Sequence, residues 1–133
     1  MPTARSLSLF FAAGALGGFV NSLVVWIFGE LGVSQALGVS INPALSPSWL
    51  YPRIVWGGLW GLLFALPLSS AWVTRGLLLS LGPSVIQLFV VFPMKANKGI
   101  LGLELGALTP VLVLVFNAVW GVVASWWARS ARA

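Results

Sequence analysis

The sequence predicts an all-α integral membrane protein, a four-helix antiparallel bundle, and three observations carry that prediction. Hydrophobic residues make up 59% of the 133 and charged residues only 7%, against about 25% in a soluble domain. The few charges leave four uncharged runs, at 6–29, 54–74, 76–94 and 105–128. Each run has about the 20 residues that a helix rising 1.5 Å per residue needs to cross roughly 30 Å of hydrocarbon. The runs are continuous rather than alternating, so helices and not a barrel satisfy the backbone in lipid.

The elements follow in order, within a single domain covering 1–133. The first span is 7–28, flanked by Arg5. Ala13-Gly14-Ala15 resembles a signal-peptide cleavage site, but the apolar stretch before it is short and apolar sequence continues through Phe28. The segment is therefore expected to stay as a span. The second span, 53–73, starts near Pro52, since proline is tolerated in a first turn. Pro67 in its final third is expected to kink or end it. A short link makes the second and third spans a tight hairpin. The third span, 76–93, is expected to be interrupted at Gly82-Pro83 and stopped by Pro93. For the fourth, 109–128, Thr109 reads as the N-cap and Pro110 as the first helical residue.

Two segments remain, at about 30–52 and 99–108. Both are too apolar for free loops and too short to span, so they are expected to lie along the interface or to re-enter partway. With both termini in the cytoplasm, Arg5, Arg75, Arg129 and Arg132 face inward, and Arg53, Lys95 and Lys98 face outward. A bacterial inner membrane is the expected location. Trp26, Trp49, Tyr51 and Trp56 would belt the outer interface, and Trp72, Trp126 and Trp127 the inner one.

Composition also removes chemistry. The chain has no His, Cys or Asp, and its only carboxylate side chains are Glu30 and Glu104. Zinc sites, thiol catalysis, Ser-His-Asp triads and disulfides are excluded, and no metal or cofactor site is expected. An enzyme would have to do its acid–base work with Glu104 alone. The net charge of +5 is scattered over both faces and forms no nucleic-acid patch. Anionic phospholipid headgroups are the more natural partners, with Arg53, Lys95 and Lys98 as the contacting residues.

Asn21, Gln87 and Asn117 are the polar residues inside the spans, each accompanied by small residues at helical spacing. A buried amide needs a hydrogen bond, so all three should face protein or water. They serve either helix packing or a polar path. Glu104, among leucines in 99–108, sits either at the headgroup boundary or, desolvated in a re-entrant segment, as a coupling carboxylate. In size and span count the chain resembles the small bacterial fluoride channels. The third helix reads LLLSLGPSVIQLFVVFP, without their Thr-Thr-Phe-Ser-Thr-like track, so no functional residues carry over. Two functions stay open. One is a non-enzymatic membrane protein acting by association with lipids or other membrane subunits. The alternative is a small oligomeric channel or transporter whose path is lined by amides.

Overall fold

The structure is a computed structural model and describes residues 3–66, 68 and 70–132. Among these it is all helical. Helix α1 spans Ala4–Glu30, capped by Thr3, whose side chain accepts from the Ser6 amide at 3.1 Å. It ends where Gly32 takes a left-handed φ of 77° and starts the single turn α2, Val33–Ala36. Helix α3 spans Pro47–Gly61 and tightens into a 3-10 turn, Leu62–Ala65. Helix α4, Trp72–Ile86, continues without a break into a π-helical stretch, Gln87–Lys95. A 3-10 segment, Ile100–Leu105, leads to α5, Thr109–Ser130.

Three helices are long and apolar enough to cross a membrane: Ala4–Glu30, Trp72–Lys95 and Thr109–Ser130. The second predicted span, 53–73, differs from expectation. Its helix starts earlier, at Pro47, because Ser46 accepts from the Trp49 amide at 3.3 Å and Pro47 suits a first turn. It also stops earlier, since the helical bonding ends at Ala65. Pro67, expected to end that span, and Ser69 lie outside the described residues.

The prolines of the third span behave differently too. Helix α4 runs straight through Gly82-Pro83, and the Gln87 amide then bonds to the carbonyls of both Pro83 and Ser84. Pro93 does not stop the helix but lies inside the π stretch, where bonding has widened and the Ala96 amide reaches the Val91 carbonyl at 2.8 Å. A missing proline N–H removes an α-helical bond, and a π register is one way to re-satisfy the freed carbonyls. At the start of α5, Leu108 holds the cap position and Thr109 is the first helical residue, fully buried.

Glycines decide which helices touch. On α1, Gly14 and Gly18 meet Gly57 and Gly61 of α3 with backbone against backbone: a Cβ on Gly14 would lie 2.7 Å from the Gly61 Cα, and one on Gly57 2.7 Å from the Gly14 carbonyl oxygen. Gly76 of α4 and Gly121 of α5 approach each other in the same way. In lipid, helices gain little from hiding apolar surface, so close backbone approach is what holds them together. These contacts run in opposite directions along each pair: 14 with 61 and 18 with 57, or 76 with 121 and Ser84 with Asn117. Helix α5 packs on both α1 and α4, with Asn21 against Phe116 and Gly17 against Trp120. The core follows these crossings. Phe10, Phe64, Leu79 and Trp120 form one cluster, Val25, Val39, Leu112 and Phe116 a second, and Leu88, Phe92 and Val113 a third. Outward faces stay apolar and exposed, as at Phe11, Phe19, Val111 and Leu114.

Both unusual segments gather at one end, beside the end of α1 and the start of α5. The Ser40 amide donates to the Leu105 carbonyl at 2.8 Å, and Gly106 lies against Gly38. Val39 is buried beneath, and Gly102, at φ 70°, lets the 3-10 segment settle on Phe92 and Thr109. The segments fold onto the helix ends as a cap. We call this the loop end. The opposite, terminal end carries Arg5, which donates to the Arg132 carbonyl at 3.4 Å, and Arg129, over the Trp72 ring at 6.0 Å.

Candidate functional site

Arg53 lies in the second turn of α3, half-buried, and its guanidinium is bonded inward. Nε donates to Ser22 Oγ and Nη2 to Asn21 Oδ1, each at 2.8 Å. The Trp49 ring, one helical turn back, sits 4.8 Å beneath the guanidinium carbon. Asn21 is itself buried and donates to the Phe116 carbonyl of α5. The next residue, Asn117, donates through Nδ2 to Ser84 Oγ at 3.1 Å and to Gln87 Oε1 at 3.3 Å. A polar chain therefore crosses the molecule from α3 through α1 and α5 to the π stretch.

Depth matters for what this chain of groups costs. Asn21 is nine residues short of Glu30, Gln87 eight short of Lys95 and Asn117 eight beyond Thr109. At about 1.5 Å per residue, all three lie roughly 12–14 Å below the loop end, near the middle of a bilayer-sized helix. Charge at that depth is expensive and marks ligand or ion sites in membrane proteins. Among the described residues Arg53 has no carboxylate partner, and Glu30 and Glu104 are both exposed. The centre thus holds one cation, three amides and hydroxyls.

Two cavities meet at it. The first, about 390 Å³, lies under the loop end, with Ser40, Asn42 and Trp49 in its wall. The second, about 430 Å³, is a groove between α3 and the α4–π helix, walled by Trp56, Trp60, Ile86, Val90 and Val91. Both are lined by Arg53, Gln87 and Asn117. The groove is shut toward the terminal end, where Gly82 approaches Leu63 and Trp60. Toward the loop end it carries Lys95. Trp56 at 61% and Ile86 at 40% exposure stand on its rim, so it faces the side of the molecule, where lipid would be.

The sequence-predicted residues divide accordingly. Asn21, Gln87 and Asn117 come together, joined by Arg53 and Ser84. The small-residue stripe Asn117, Gly121 and Ser125 faces α4, where Ser125 Oγ donates to the Trp72 carbonyl at 2.6 Å. Lys95 shares the groove with Arg53, whereas Lys98 is exposed and lines neither cavity. Arg53, read from the sequence as a headgroup contact at a helix start, has its guanidinium turned into the polar chain. Glu104 is exposed on the 3-10 segment and belongs to neither cavity lining. Sequence reasoning missed the inward role of Arg53. The signal was Ser46-Pro47, which starts α3 six residues earlier and moves Arg53 from the helix end into its body. Compared with protein-family models, curated proteins and solved structures, the chain matches none.

Proposed function

We propose that this chain is a small, non-enzymatic polytopic protein of the bacterial inner membrane that works by association with anionic phospholipids. The observation that carries this reading is the groove between α3 and the α4–π helix. It combines apolar walls of Trp, Ile and Val with two cations, Arg53 and Lys95. A phospholipid has the complementary shape, with acyl chain along the walls and phosphate at the cationic end.

The reading includes a fourth crossing. Helices α1 and α4 both run antiparallel to α5, so they are parallel to each other. The chain must then return across the bilayer between them, and α3 with its 3-10 turn is the element that does so. Its 15 α-helical and four 3-10 residues extend about 30 Å. On this reading the chain is an antiparallel four-helix bundle with both termini on one side, and we take that side as the cytoplasm, which turns the groove toward the outer leaflet.

Native mass spectrometry of the purified protein tests the lipid reading. Wild type should retain phosphatidylglycerol or cardiolipin over phosphatidylcholine, and Lys95→Gln should lose that preference. Equal retention of all three lipids by wild type would overturn it. A second reading, a small oligomeric channel or transporter, is favoured by one observation: the same three polar residues line both cavities. Solute flux in liposomes that depends on Gln87 would promote it.

A further inference from the structure

We propose that Arg53 and Gln87, with Asn117 beside them, form a binding site for one tetrahedral oxyanion of the phosphate or sulfate class. The site lies where the end cavity meets the groove and is reached from water through the end cavity.

Hydrogen-bond accounting leads there. A guanidinium carries five N–H donors, and Arg53 uses two of them, on Ser22 and Asn21. Both protons of Nη1 and one of Nη2 are left over. Gln87 accepts from Asn117 through Oε1, which leaves its NH₂ group to the cavities. The nearby acceptors Asn21 Oδ1, Ser22 Oγ, Ser84 Oγ and Gln87 Oε1 each already accept a bond from an internal donor. Asn117 Oδ1, by contrast, receives no internal donor among the described residues. The open valences nearest the guanidinium are therefore led by N–H donors, three on Arg53 and two on Gln87, which suits an oxyanion.

Charge points the same way. A guanidinium held at mid-depth without a carboxylate leaves its field uncompensated, and an anion supplies what the side chains do not. Arginine's planar fork matches tetrahedral oxyanions in particular. Space is sufficient, because the end cavity of about 390 Å³ holds an oxyanion with several waters of about 30 Å³ each. Ser40 and Asn42, both exposed, stand at its mouth.

This inference is separable from the lipid reading although both use Arg53. The lipid reading needs the groove walls and Lys95; the oxyanion site needs Gln87 and the end cavity. The experiment is calorimetric titration of sulfate into the full chain in phosphatidylcholine nanodiscs, with chloride at matched ionic strength as control. Sulfate should bind and chloride should not, and Gln87→Glu, which puts a carboxylate in place of the donor amide, should weaken sulfate at least tenfold. Lys95→Gln should leave sulfate binding within about twofold. Arg53→Gln should abolish binding; should that variant not fold, Gln87→Glu still decides. Repeating the titration in phosphatidylglycerol nanodiscs separates the sources of the anion. Competition assigns the site to a lipid phosphodiester, and unchanged binding assigns it to a free oxyanion. Equal heats for sulfate and chloride in wild type, or a Gln87→Glu variant that binds sulfate as wild type does, would overturn the proposal.

Discussion

Arg53 of α3 and Asn21 of α1 are joined across the close glycine crossing of the two helices, Nη2 donating to Oδ1 at 2.8 Å. The crossing and the bond depend on each other. Gly18 lies against the Arg53 carbonyl, and a Cβ there would stand 2.8 Å from that oxygen. Only because the backbones meet so closely is Asn21, three residues on, within reach of the guanidinium. Asn21 then passes the connection to α5 through the Phe116 carbonyl. A packing device and a polar device are thus one structure.

Replacing Asn21 with Leu should be costly. It removes an acceptor from a partly buried cation, and bonds to charged groups contribute about 1.5–3 kcal/mol. We expect a loss of about 2 kcal/mol in unfolding free energy in detergent micelles. A change below about 0.5 kcal/mol would mean that water replaces the amide without loss.

Adding a side chain at Gly14 tests the crossing itself. Gly14→Val has no room against Gly57 and Gly61, so α1 and α3 must separate. The variant should lose its cooperative unfolding transition or lower its midpoint sharply. Gly38→Ala is a graded control: its φ of 75° is strained for alanine but no atom lies within 4 Å, so the cost should be about 1–2 kcal/mol. Similar effects of the two substitutions would argue against the close crossing.

Thr109 offers a prediction of opposite sign. Its hydroxyl is buried and, among the described residues, lacks a hydrogen-bond partner. Thr109→Val keeps the shape and removes an unsatisfied polar group, so stability should rise by about 1 kcal/mol. Destabilisation, measured by the same unfolding assay, would show that the hydroxyl has a partner in the membrane.

The fourth crossing is open to labelling. With single cysteines in intact cells, Ser48→Cys and Lys98→Cys should react with an impermeant maleimide from one side, and Ser70→Cys and Arg129→Cys from the other. Ser48 and Ser70 reacting from the same side would remove α3 from the set of crossing helices.

Sulfate occupancy should not depend on pH between about pH 5 and 9. The guanidinium keeps its proton throughout, and sulfate does not titrate in that range. A flat titration curve is the expected outcome, and affinity that changes across this range would overturn the assignment to a permanently charged guanidinium.

What could be read from residues alone was set by solvation. A backbone in hydrocarbon must bond within its own segment, so the uncharged runs containing Asn21, Pro83 and Asn117 had to be helices wherever they lie. The same rule required their amides to face partners rather than lipid. The second run was harder to read, because Ser46-Pro47 outranks Pro52 as a helix start and the helix tightens and ends by Ala65 rather than at 73. Pro93 was misread because a widened helix register absorbs a proline that an α-helix would not. Tertiary structure alone decided that Arg53 turns inward, that Gln87 meets Asn117, and that two cavities share those three side chains. Those outcomes depend on which glycine faces cross and at what depth, and backbone contacts between segments far apart in the chain leave no mark in local composition.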